Sequence, residues 1–86
     1  MAKSITDNKR KRHQPTINTV GDNIRALRLE KGMTVKNLAE LAECEAKLIY
    51  NYESGKVDIS VSMVYFLAVA LEVEPNTLLI PHSSPP

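Results

Sequence analysis

The residues of this 86-residue chain best suited to touch another molecule are Ala46, Lys47, Tyr50 and Asn51. Lys47 can donate to O6 and N7 of a guanine or to a phosphate, and Asn51 can pair through both amide atoms with N6 and N7 of an adenine. Ala46 can touch a thymine methyl, and Tyr50 carries a hydroxyl on an apolar body. At about 3.6 residues per helical turn, these four and Glu45 share the face opposite Leu48, Ile49 and Tyr52. Catalytic chemistry has no such support. His13 and His82 sit in opposite tails, and Cys44 has no histidine at a helical spacing from it. The chain contains no glycine-rich phosphate loop, no CxxC pair and no HExxH pair. The sequence therefore points away from an enzyme and implies no cofactor and no metal.

Two short helices must position that face. In TVKNLAELAECEAKLIYNYESG, residues 34–55, the apolar positions Val35, Leu38, Ala39 and Ala42 make one buried stripe over 35–42. A second helix is expected over 45–54, buried through Leu48, Ile49 and Tyr52 and stopped by Gly55. Glu43-Cys44 is too short to be a loop with structure of its own, so the two helices must cross steeply. That is the helix-turn-helix layout, in which the second helix enters a DNA major groove. A further helix is expected over 20–31, with Thr19 and Asp22 in its first turn and Gly32 at its end. Another should follow Ser60 as N-cap and end near Leu71, and a short fifth helix should have Pro75 at its first position. Thr34 can cap the second helix, but no Glu stands three residues later, so no full capping box is expected.

Residues 20–79 resemble the lambda-repressor-like, Cro/XRE-type helix-turn-helix family. The match runs through Asp22-Asn23-Ile24-Arg25-Ala26-Leu27-Arg28, Glu30-Lys31-Gly32-Met33-Thr34 and Leu38-Ala39-Glu40. It continues through Ile49, Tyr52-Glu53, Gly55-Lys56, Ser60, Leu67-Ala68, Ala70-Leu71, Val73, Pro75 and Leu78-Leu79. Asp58-Ile59-Ser60-Val61 looks like the restriction–modification controller subgroup. The resemblance implies an all-α, compact five-helix domain whose helices 2 and 3 form the helix-turn-helix. It also implies DNA contacts from Thr34, Lys36, Glu45, Ala46, Lys47, Tyr50, Asn51 and Lys56, and an ion pair between Arg28 and Glu53 that fixes how helix 3 is presented. Three positions depart from the family pattern. Val35 replaces a frequent phosphate-contacting Gln, Glu43 replaces the frequent turn Gly, and Glu45 replaces a Ser or Thr cap.

Charge divides the chain. Residues 1–18 hold Lys3, Lys9, Arg10, Lys11 and Arg12 against Asp7, a net of +4, whereas residues 19–86 carry a net of −3. The basic run Lys9-Arg10-Lys11-Arg12 is therefore the expected source of phosphate attraction. With few apolar residues and no periodicity, 1–18 reads as a disordered basic arm, 19–80 as the folded domain and 81–86 as a flexible Pro/Ser tail. No apolar run approaches the ~18 residues of a membrane span. The N-terminus is unlike a signal peptide, and a single Cys fits a reducing compartment, so the expected location is cytoplasmic. By resemblance the origin is bacterial, phage or plasmid.

VSMVYFLAVALEV, residues 61–73, is apolar almost all round. Val64, Leu67, Ala68 and Leu71 suffice for a core stripe, which leaves a surplus typical of an interface. The resemblance implies a dimer joined through helices 4 and 5, which makes Met63, Phe66, Val69, Leu79 and Ile80 the expected homodimer contacts. The chain thus reads as a dimeric, sequence-specific transcriptional regulator of double-stranded DNA. The alternative is a protein-interaction module, such as an antitoxin, whose acidic surface or apolar patch meets another protein.

Overall fold

Among the described residues there are four α-helices: α1 (Gln14–Glu30), α2 (Val35–Ala42), α3 (Ala46–Glu53) and α4 (Val61–Leu71), followed by a 3₁₀ turn, Pro75–Leu78. The computed structural model describes residues 11–81, and no strand occurs among them. The all-helical class agrees with the apolar spacing, but the count of five helices does not. The fifth element is a single 3₁₀ turn. Pro81 has no N–H to return to the carbonyl of Thr77, and the buried Asn23 amide takes the carbonyls of Leu78 and Ile80 at 2.9 and 2.8 Å, so an α-helix has no means to continue.

The helices close on one core. Ile24, Leu38, Ile49, Leu67, Leu71 and Leu78 are shut off from solvent, each contributing about 1.5–3 kcal/mol through burial. They come from every element, so the core sets the mutual placement of all four helices and the final turn. The amphipathic stripes of α2 and α3 are the expected ones, except that Leu48 is only half-buried. No helix among the described residues is long and apolar enough to cross a membrane.

Helix ends explain the boundaries. α1 starts well before the expected position 20 and takes in residues 14–18 of the segment read as an arm. His13 Nδ1 accepts the Thr16 N–H, Pro15 sits in the first turn where its missing N–H is harmless, and Ile17 is buried. Thr19 and Asp22 therefore lie inside the helix. α2 has the full capping box that was not expected. Thr34 Oγ1 accepts from Asn37 N–H at 3.0 Å, and Asn37 Oδ1 accepts from Thr34 N–H at 3.1 Å, the short amide doing what Glu or Gln usually does. All four helices end with the same pair of return hydrogen bonds around a left-handed residue: Gly32, Glu43, Gly55 and Glu72. At Glu43 (φ 58°) and Glu72 (φ 61°) that conformation crowds Cβ against the following carbonyl.

Candidate nucleic-acid interface

The outward face of α3 is built by what holds its inner face down. Ile49 and Tyr52 are buried, whereas Lys47 is exposed, Tyr50 is 61% exposed and Asn51 is half-buried. Lys47 and Asn51, one turn apart, border a shallow depression of about 200 Å³ with Glu45 and Leu48. A flat donor amide beside a flexible ammonium on one convex helix can reach base edges and phosphates together. Glu45 is the N-cap residue, exposed, and makes no side-chain cap hydrogen bond. Ala46 does not belong to this face. It stands three residues before Ile49, on the same side of the helix, and is half-buried against the core.

One ion pair anchors the far end of α3 to α1. Arg28 Nε donates to Glu53 Oε2 at 2.7 Å, Nη2 donates to Oε1 at 3.0 Å, and Nη1 donates to the Met33 carbonyl at 2.9 Å. The two side chains are only 10% and 8% exposed. Hydrogen bonding to Glu53 raises the Arg28 pKa further above its ordinary value, against the opposing effect of burial, so the guanidinium stays charged at any relevant pH. The planar fork fixes both the distance and the rotation of the last turn of α3.

The other residues singled out in the sequence lie around this helix. Thr34, Lys36 and Lys56 are exposed, though the Thr34 hydroxyl is engaged in its capping bond. Lys11 and Arg12 are exposed, and Arg12 Nη2 lies 3.3 Å from the Lys56 carbonyl, beside the end of α3. Lys9 and Arg10 lie outside the described residues. Cys44 is half-buried against the core, and burial, with the nearby Glu45 charge second, raises its thiol pKa. Among the described residues no group of His, Cys, Asp and Glu is placed to hold a metal ion.

A second surface lies on α4 and the C-terminal turn. Phe66 and Val69 are 50% and 56% exposed, and Leu79 and Ile80 are similarly open. Met63 is half-buried and packs on the core, leaving less of it for any partner. Tyr65, which sequence reasoning passed over, stands edge-to-face against Phe66 with ring centroids 5.5 Å apart. Beside it opens an apolar cavity of about 470 Å³, walled by Ile17, Val20, Ile59, Val64, Tyr65 and Leu79. Ile17 and Val20 signal this wall only once α1 is known to start at Gln14. Sequence reasoning also missed Gln14, Asn18 and Asn23, whose partners are 41 or more residues away for Gln14 and Asn23.

Comparison with known proteins agrees with this geometry. A family model described as a helix-turn-helix domain matches residues 21–80. The restriction-modification controller protein C.AhdI from Aeromonas hydrophila is 31% identical, with 72% of this chain and 94% of that chain covered at a TM-score of 0.70. The hypothetical transcription factor NHTF from Neisseria is 23% identical, with 86% of each chain covered at a TM-score of 0.76. The controller protein C.Esp1396I, solved as a tetramer in complex with its natural 35 base-pair operator, is 25% identical, with 73% of this chain and 83% of that chain covered at a TM-score of 0.68. No curated protein gives a significant match. With a family model matching residues 21–80 and a controller relative at this identity, the chain belongs to the helix-turn-helix family of DNA-binding transcription regulators, of the Cro/XRE type.

Proposed function

We propose that this protein is a sequence-specific regulator that binds operator DNA as a dimer, with α3 in the major groove. The observation that carries the reading is the outward face of α3, where Lys47, Tyr50 and Asn51 project from a helix pinned by Ile49, Tyr52 and the Arg28–Glu53 pair. Asn51 and Lys47 read bases, Tyr50 adds an adaptable contact, and Lys36, Lys56, Lys11 and Arg12 meet phosphates on either side. Lys9 and Arg10 would extend the same electrostatic contact. The operator-bound tetramer of the controller relative supports assembly on DNA.

The apolar surface on α4 supports the dimer. Phe66, Val69, Leu79 and Ile80 are exposed together with Tyr65 and Val61, more than a monomer core requires. A two-fold pairing would bury the same patch on both copies and set two recognition helices facing two half-sites.

Two measurements test these claims. Asn51→Ala should relax preference at one base position and cost ~1–3 kcal/mol on the cognate duplex. Uniform weakening on all sequences would remove Asn51 from base readout, and no change would place α3 outside the groove. Phe66→Lys with Val69→Lys should yield helical monomers in sedimentation at micromolar concentration. An unchanged dimer, or a wild type that is monomeric throughout, defeats the α4 interface.

A further inference from the structure

The first seven residues of α1, 14–20, precede the segment that matches the family model, 21–80. They are engaged with the recognition helix. Gln14 Nε2 donates to the Gly55 carbonyl at 2.8 Å and to Asn18 Oδ1 at 2.9 Å. Arg12 Nη2 donates to Gln14 Oε1 at 3.0 Å, and lies 3.3 Å from the Lys56 carbonyl and 3.5 Å from that of Gly55. The backbone acceptors all belong to the turn that ends α3. Gly55 is buried with a φ of 77°, and a Cβ there would strike Asn18 Oδ1. One step inward, a Cβ on Gly21 would collide with the Tyr52 carbonyl.

α1 therefore grips the end of α3 at three levels: Arg28 on Glu53, Gly21 on Tyr52, and Gln14 on Gly55. The first two lie within the family-matched segment, and the third is supplied by the extension. Their mechanical roles differ. A helix of eight residues is about 12 Å long, so slack at its last turn becomes displacement at Asn51. A bidentate amide–adenine pair tolerates little displacement, whereas a lysine on a four-carbon stem follows a phosphate readily. The Gln14 amide is aimed by its own bond to Asn18, so it holds the Gly55 carbonyl from a fixed direction.

We propose that Gln14 is a positioning residue for base readout: it locks the turn after the recognition helix, so its loss lowers discrimination between sequences more than it lowers attraction to DNA. The proposal rests on α3 being the groove helix. The test uses the full chain. Wild-type protein selects a duplex from a randomised library, and affinity is then measured, at one salt concentration, for that duplex and for a scrambled one. Gln14→Ala should weaken binding to the selected duplex about fivefold to tenfold, the loss of roughly one hydrogen bond, and change the scrambled duplex by less than about twofold. Gln14→Glu keeps the size but turns an acceptor toward a carbonyl, so its ratio of the two affinities should fall at least as far. Thermal melts fix the measuring temperature below unfolding, where a merely structural loss would weaken both duplexes by one factor and leave the ratio unmoved. An unmoved ratio in both variants overturns the proposal while the groove reading stands. A wild type that selects no sequence overturns the groove reading, and the proposal with it.

Discussion

Breaking the Arg28–Glu53 pair from one side should cost this domain several kcal/mol of stability. Glu53→Ala leaves the guanidinium with the Met33 carbonyl alone, after losing bonds of 2.7 and 3.0 Å to the carboxylate. The site is nearly closed, with side chains 10% and 8% exposed, so the guanidinium has little access to water. An unpaired charge in such a place costs about 3–5 kcal/mol. For a domain of this length each kcal/mol moves the melting temperature by about 4–8 °C, so the midpoint should fall by at least about 12 °C. Arg28→Ala strands the carboxylate and should cost about the same. Arg28→Met with Glu53→Met removes both charges and fills the space with apolar atoms. The double variant should recover most of the loss, short of about 1 kcal/mol for the orphaned Met33 carbonyl. Urea unfolding of the four proteins completes the double-mutant cycle. Single losses below about 1 kcal/mol would mean that solvent screens the pair. A double variant as unstable as the sum of the singles would mean that the two side chains act independently.

Three further outcomes are expected. Glu43→Gly should raise stability by about 0.5–1 kcal/mol, since Glu43 holds a φ of 58° that costs an L-residue about 1–2 kcal/mol, less the backbone entropy of glycine; an unchanged urea midpoint would show the turn to be unstrained. Deleting residues 1–11 removes Lys3, Lys9, Arg10 and Lys11 but keeps the Arg12–Gln14 contacts; the slope of log K against log salt should become shallower by ~2–4 per monomer, and equal slopes would reduce the basic run to a solvated tail. Cys44 and Tyr52 both have pKa values raised, mainly by burial, so the native state holds more protons than the unfolded state at alkaline pH and stability should fall as pH rises above about 8.5. Cys44→Ala should flatten that decline between about pH 8 and 10, and parallel urea-midpoint curves would reject the assignment.

The helix-turn-helix was legible in the sequence because local signals carry it: an apolar period of about 3.6, Thr34 and Ser60 as caps, and Gly32 and Gly55 at two ends. The start of α1 was not, because its cap is His13, outside the usual set, and its apolar content is Ile17 alone before Val20. Ile17 becomes a core residue only when chain 40 or more positions away folds over it, and Gln14 finds its acceptor at Gly55. The α2 capping box escaped because Asn37 is one methylene shorter than the residue the pattern asks for. The outward orientation of Lys47 and Tyr50 on α3, with Asn51 half-buried beside them, was legible from periodicity. Ala46 was expected on that face although it stands three residues before Ile49, and the helical period puts it on the buried side, half-buried against the core.

These contacts also bear on how an acidic domain can approach DNA. Residues 19–86 carry a net of −3, and Glu43 and Glu45 stand at the turn before α3. Of the folded cations, Arg28 is already neutralised by Glu53. At the exit of α3, Arg12 Nη2 lies 3.3 Å from the Lys56 carbonyl, and Lys11, next to Arg12 in the chain, is exposed. A basic segment on a long free tether would add phosphate affinity in any register. Here the tether has no slack at its root, because Arg12 and Gln14 are fastened to the turn that ends α3. On the proposed reading, the charge that would attract the duplex and the helix that would read it are joined at one point, so phosphate contacts made by the arm would act on α3 through these same few hydrogen bonds.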